Sequence, residues 1–183
     1  MPEPERRIRK ATMRDADRIA RIYNQSIRLR DATMDTDDLA ASDVALWIEK
    51  QGPREDLLVV ESGDEFAVVG WGIIKTYHPR PGYAVAAETS VYVDRSLTGQ
   101  GHGSAMQHRL MERCRELGYH HLVAKIWAGN DGSIRMHERF GYERVGIQHE
   151  IGFVDGERLD VAILQCVLGG GTGKPVPGGP APA

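Results

Sequence analysis

The sequence predicts an α/β fold in which a mixed sheet carries helices on both faces. Three observations predict it. β-rich apolar runs alternate with segments of helical periodicity, a glycine-rich turn leads from a strand into a helix, and two β-rich runs around Val154-Asp155-Gly156 close the domain as a hairpin.

The elements follow in order. Residues 7–10 form a short first strand. Thr12, with Asp15 and Asp17 behind it, sets an acidic helix start before Ile19, Ala20, Ile22 and Tyr23, because negative charge there meets the positive end of the helix dipole. That helix runs to about Ser26. Residues 33–42 are polar and turn-like, and Ser42 opens a helix with Ala45, Leu46, Trp47 and Ile48 that ends near Lys50. Two β-rich runs, 57–62 and 67–76, join through Ser62-Gly63-Asp64-Glu65 as a hairpin. The next strand, about 83–93, ends at the glycine-rich turn.

Over 103–117 the residues Met106, Leu110, Cys114 and Leu117 recur at helical spacing, so one face is buried, and Gly118 stands where a left-handed residue ends a helix. A strand over 122–127, a short helix over 131–140 closed by Gly141, and strands over 142–151 and 158–168 complete the order. No linker or repeat divides residues 1–168, which read as one domain. Residues 169–183, GGGTGKPVPGGPAPA, have too little apolar surface to offset the entropy of ordering and are expected to be a disordered tail.

Composition excludes several function classes. With 183 residues, 41% hydrophobic and 27% charged, the chain can bury a sizeable core. Its 26 acidic and 23 basic residues leave a net charge of -3, no field to hold a polyanion, so nucleic acid is not an expected partner. Apolar stretches such as 57–60 fall far short of the roughly 20 residues of a membrane span. Residues 1–10 are charged and lack a signal-peptide core, so no membrane partner and a cytoplasmic location are expected. Cys114 and Cys166 lie far apart and His120-His121 are not ligand-spaced, so neither a disulfide framework nor a metal site is indicated.

The sharpest local feature is Thr98-Gly99-Gln100-Gly101-His102-Gly103 between a strand and a helix. Glycines let the backbone turn tightly and approach a ligand, and the free N–H groups of a helix start suit a pyrophosphate. The turn lacks the Gly-Lys-Ser/Thr of a P-loop and does not match the Gly-x-Gly-x-x-Gly spacing of a dinucleotide fold.

Taken with Glu88-Thr89-Ser90-Val91-Tyr92-Val93 before it and NDGSIRMHERFGY over 130–142 after it, this turn resembles the GNAT superfamily of acetyl-CoA-dependent N-acetyltransferases. More narrowly, the chain is similar to the phosphinothricin and methionine sulfone type of amino acid N-acetyltransferase. The likeness extends from Ile8 to about Leu168 and includes Ile22-Tyr23-Asn24, Arg80-Pro81-Gly82-Tyr83 and Leu159-Asp160-Val161. It implies a mixed, mostly antiparallel central sheet of about six to seven strands with helices on both faces.

The resemblance also implies roles. Acetyl-CoA is the expected cosubstrate, with the main chain of Val91 and Val93, beside Tyr92, pairing with its pantetheine arm. The turn from Thr98 through Gly99, Gln100, Gly101, His102 and Gly103 to Ser104 would wrap the pyrophosphate, although relatives usually carry Arg or Gln at the place of Thr98. Asn130 matches an amide that bonds the pantetheine arm, with Ser133 and Arg139 also at coenzyme positions; Asn is equally favoured there as a helix cap. His137 takes the place of a tyrosine that donates a proton to the leaving thiolate, and imidazole can do the same. Glu88 matches an acidic residue able to take a proton from the acceptor, directly or through water. An amine arrives mostly protonated at pH 7, and only its neutral form can attack a thioester.

For the acceptor, Arg80 and Tyr83 are the implied carboxylate partners, the guanidinium in bidentate fashion. Met34 belongs to a substrate-side loop in which relatives more often carry Thr and Phe where this chain has Arg30 and Met34, and Arg158 replaces a frequent tryptophan. The expected reaction is direct transfer to a small amino acid or analogue in a ternary complex, by a homodimer. A protein N-terminus or a polyamine as acceptor, or a non-catalytic acyl-CoA-binding module, are the alternative readings.

Overall fold

The structure is a computed structural model that describes residues 6–63 and 67–169. Asp64 and Glu65 of the expected hairpin turn, and all of the expected tail beyond Gly169, lie outside the described residues. In chain order the elements are β1 (Arg6–Lys10), α1 (Ala16–Leu29), α2 (Ala41–Glu49), β2 (Asp56–Ser62), β3 (Ala67–Thr76), β4 (Ala86–Val93), α3 (His102–Glu116), β5 (His121–Trp127), α4 (Asp131–Arg139), β6 (Glu143–Val154) and β7 (Glu157–Val167). The strands make one seven-stranded sheet in the order β1-β2-β3-β4-β5-β7-β6. Every neighbouring pair is antiparallel except β4 with β5. The expected mixed, mostly antiparallel α/β sheet is thus the observed one.

Both faces of the sheet are covered. On one, Leu57 and Val59 of β2 pack with Ile19, Ile22 and Ile27 of α1 and Val44 of α2. On the other, Leu58 and Val60 meet Met106, Leu110 and Cys114 of α3. A strand buried on both sides reads as a continuous apolar run, which is why residues 57–60 show no alternation. Each such side chain taken from water contributes roughly 1.5–3 kcal/mol. Carboxylates fasten the rim: Asp56, its side chain 3% exposed, accepts from Lys10 of β1 at 2.7 Å and from Arg113 of α3 at 2.6 Å. Asp15 receives the Arg9 guanidinium on both oxygens, at 2.8 and 2.9 Å, and so ties β1 to the start of α1.

Three boundaries differ by three residues from those expected, the others by at most one. β4 begins at Ala86 instead of residue 83, because Pro81 has no N–H for a ladder and Pro81–Tyr83 form a short 3-10 turn. α1 continues past Ser26 to Leu29, where Arg30 ends it in the left-handed region at φ 52°. β6 continues past Ile151 to Val154 through a break in register between Gln148 and Gly152. Asp160 holds that break together, accepting the Glu150 N–H at 2.8 Å and facing His149 Nδ1 at 2.8 Å.

The feature that positions the site is where the sheet comes apart. β4 and β5 pair only over Ala86–Glu88 and His121–Val123. Beyond that, β4 stays with β3 as far as Val93 and β5 stays with β7 as far as Trp127, which leaves a wedge between them.

Candidate active site

Main-chain parity decides what faces the wedge. The Asp94 N–H donates to the Val69 carbonyl at 2.8 Å and the Tyr77 N–H to the Ala86 carbonyl at 3.2 Å, so alternate residues counted from Ala86 turn towards β3. The Val85 carbonyl, on the opposite parity, accepts from the N–H groups of His120 and His121 beside β5. Alternation along an extended strand therefore aims the N–H and C=O groups of Val91 and Val93 into the wedge, where β5 no longer pairs with them.

A cleft of about 630 Å³ opens there. Val91, Tyr92 and Val93 line it from β4; Thr98, Gly99, Gly101, His102, Gly103 and Ser104 from the turn and the head of α3; and Asn130, Ser133, His137 and Arg139 from α4 and its cap. Gln100 does not line it, and its carbonyl accepts from Arg6 Nη2 at 2.6 Å. Gly99 and Gly101 have φ of 77° and 84°, and a Cβ at Gly101 would stand 3.2 Å from Arg6 Nη2. The turn thus needs glycine at 101 for its backbone angle. Ala105 is the first residue of α3 whose N–H returns to a main-chain carbonyl, that of Gly101 at 3.0 Å. The N–H groups ahead of it head a helix dipole, an arrangement suited to an anion. The Thr98 hydroxyl turns back to the Arg95 carbonyl at 3.1 Å.

Two α4 residues have internal duties. The Asn130 side chain caps the helix by accepting the Ser133 N–H at 3.1 Å, and its amide N–H donates to the Asp31 carbonyl at 3.1 Å. One lone pair and one N–H hydrogen of that amide remain for a ligand. His137 is 3% exposed, and its Nδ1 lies 2.8 Å from the Ser133 carbonyl oxygen. A carbonyl can only accept, so Nδ1 carries the hydrogen, and burial holds the imidazole pKa below its usual range despite that bond. The ring is neutral and Nε2, buried without a partner among the described residues, presents a lone pair. The resemblance implies a proton donor at this position, whereas this tautomer offers an acceptor at Nε2.

A second cavity of about 520 Å³ adjoins the first, and the two share Ala32, Ser90, Tyr92, Lys125 and Trp127. Glu88 and Met34 line it. Met34 lies against the break in β6, its sulfur so close to Gly152 that a Cβ there would be 2.5 Å away. Glu88 Oε2 pairs with Lys125 Nζ at 2.7 Å. Arg80 and Tyr83 line neither cavity. They sit on the 3-10 turn, where the Arg80 N–H donates to His78 Nδ1 at 3.1 Å and the Tyr83 ring lies 5.9 Å from that of Tyr77. Arg30 and Arg158 are held in ion pairs with Asp155 at 2.6 Å and Glu150 at 3.0 Å.

Lys125 and Trp127 line both cavities and were not singled out by any motif. Alternation in β5 carries the signal: Leu122, Ala124 and Ile126 are buried on the α3 side, which puts a lysine and a tryptophan on the opposite face. The cysteines take no part in either cavity. Burial pushes the Cys114 thiol up to about 12 and raises that of Cys166 as well, so neither is a thiolate at neutral pH. Among the described residues no helix is long and apolar enough to cross a membrane.

The family model for the acetyltransferase (GNAT) family matches residues 21–142. This chain belongs to that family. Among GNAT relatives, an L-methionine sulfoximine/L-methionine sulfone acetyltransferase of Pseudomonas paraeruginosa is 30% identical over 161 residues, covering 88% of this chain and 94% of its own. A phosphinothricin N-acetyltransferase of Streptomyces coelicolor is 29% identical, covering 86% and 94%. The solved structure of a GNAT superfamily phosphinothricin acetyltransferase from Sinorhizobium meliloti, in complex with AcCoA, superposes with a TM-score of 0.87 at 29% identity, over 94% of each chain.

Proposed function

We propose that this GNAT acetyltransferase moves the acetyl group of acetyl-CoA to the α-amino group of a small amino acid or analogue, by direct attack in a ternary complex. The observation that carries the reading is the meeting of two cavities at the β4–β5 wedge, with unpaired main chain on one side and Glu88 on the other. The residues fit the coenzyme. His137 Nε2 is a buried acceptor in want of a donor such as an amide N–H, the wedge offers a strand edge, and the head of α3 offers N–H groups for a pyrophosphate.

In this reading Val91 and Val93 hold the pantetheine arm by main-chain bonds, with Tyr92 as the wall between the cavities. The turn from Thr98 to Ser104 holds the pyrophosphate, and Asn130, Ser133 and Arg139 flank the arm from α4. The coenzyme supplies a thioester carbonyl. Glu88, directly or through water, takes one proton from the acceptor's ammonium, so that the freed lone pair attacks the carbonyl carbon. The carbon–nitrogen bond forms as the carbon–sulfur bond breaks, the nitrogen's second proton passes to the departing sulfur, and the products are an N-acetyl amine, a thiol and the one proton taken by Glu88. No acyl-enzyme is needed, and the neutral thiols of Cys114 and Cys166 lie away from the wedge.

The assembly is proposed to be a homodimer. Ile147, Ile151 and Phe153 along β6, an outermost strand, are 38%, 59% and 69% exposed, an apolar edge of the kind that a second copy covers. Light scattering near twice the 20.3 kDa chain mass supports the dimer, and a 20.3 kDa species alone contradicts it. The function is tested by following thiol release from acetyl-CoA with amino acids, peptides bearing free N-termini, and polyamines. Release confined to amino acids, with the N-acetyl product found by mass spectrometry, is the expected result. Coenzyme binding without release for any acceptor indicates a binding module instead.

A further inference from the structure

Among the described residues lining the second cavity, Glu88 is the one carboxylate and Lys125 the one cationic side chain. They pair with each other at 2.7 Å. Glu88 stands opposite Val123 in the short parallel pairing of β4 with β5, and Lys125 is the next residue of β5 on the same face as Val123, so the pair sits where the wedge begins. Lys125 is 48% exposed, its Nζ is 5.9 Å from the centre of the Tyr77 ring, and a four-carbon arm lets it swing. Around the charges, Met34, Val123, Ile151 and Val161 supply an apolar wall.

We infer that Glu88 and Lys125 together dock a zwitterion, Glu88 receiving the ammonium of the acceptor and Lys125 its carboxylate. The inference rests on the reading of the cavity as the acceptor site and names the residue that selects the acceptor there. Without acceptor the two side chains satisfy each other. An α-amino acid carries the same two charges on adjacent positions, so its entry exchanges one ion pair for two and leaves no charge unpaired. An amine without a carboxylate, such as a polyamine, an amino acid amide or a peptide N-terminus, brings a second cation beside the Lys125 ammonium and nothing to bond it. Discrimination therefore comes from a repulsive element as well as an attractive one. Arg80, the carboxylate partner implied by the resemblance, does not line the cavity.

The test compares wild type with Lys125→Met, which keeps much of the arm and removes the charge, using methionine sulfone and its primary amide as acceptors. In the wild type, kcat/KM for the acid exceeds that for the amide by at least about tenfold. Lys125→Met removes that preference by lowering the value for the acid, and Lys125→Arg restores most of the loss. Equal losses on acid and amide overturn the dock, as does a selective loss that appears in Arg80→Ala instead. Calorimetric binding of the same two compounds with CoA present separates this inference from the functional reading. Thiol release absent for every amino acid, with the acid still binding in preference to the amide through Lys125, sinks the reading and upholds the dock. Equal binding of acid and amide, or none, overturns the dock.

Discussion

Ser133 holds His137 in a single tautomer: its carbonyl oxygen lies 2.8 Å from Nδ1, and the lone pair of Nε2 is left for the cleft. To donate from Nε2 the ring would first have to be charged, which burial opposes. His137→Phe is therefore expected to weaken acetyl-CoA binding by about 1 kcal/mol, roughly fivefold, for one lost hydrogen bond. Turnover at saturation should fall by less than about tenfold. Isothermal titration and saturation kinetics check this; a loss of about 10²-fold or more in turnover, with affinity intact, would restore His137 as an acid.

Gly101 offers a sharper test of the turn. Its φ of 84° is strained for any residue with a Cβ. Gly101→Val should weaken acetyl-CoA binding at least tenfold, or about 1.4 kcal/mol. Circular dichroism establishes that the variant is folded, and an unchanged affinity in the folded variant contradicts the placement of the coenzyme.

Asp56 links the fold to pH. Burial alone would raise its pKa, but the hydrogen bonds from Lys10 and Arg113 hold it below the usual carboxylate range. A depressed folded pKa means that the stabilisation is fully present above the unfolded value near 3.9 and is lost as pH falls through the folded one. Asp56→Asn should cost about 1.5–3 kcal/mol at pH 7, and its gap to wild type should close as pH falls below about 4. Urea melts at several pH values measure this; a gap that does not change with pH contradicts it.

Glu88→Gln should lower turnover about 10²–10⁴-fold while changing acetyl-CoA affinity little, since positioned proton transfer contributes about that much. Raising the pH should partly rescue it, because more acceptor then arrives neutral. Full turnover of Glu88→Gln at pH 7 removes the base and leaves positioning and desolvation of the neutral amine as the source of rate.

Much of the fold was legible because the chain obeys simple periods. The run 67–76 became β3 with the same limits, and Met106, Leu110 and Cys114 became the buried face of α3. The glycine turn was legible because backbone angles near 80° leave little choice of residue. What escaped depended on partners remote in sequence. The break in β6 needs Asp160 of β7, and the Glu88–Lys125 pair needs the parallel register of β4 with β5, neither of which a local pattern encodes. The tautomer of His137 is a local matter, one helical turn from Ser133, but it is set by burial as much as by spacing.

The central claim is direct transfer between two cavities that meet at the β4–β5 wedge. Initial rates of thiol release over a grid of acetyl-CoA and methionine sulfone concentrations test it most directly. The account predicts intersecting double-reciprocal lines, no release beyond background without acceptor, and one N-acetyl product per thiol. Parallel lines with an acetylated enzyme caught by mass spectrometry, or thiol release indifferent to the acceptor, would contradict it.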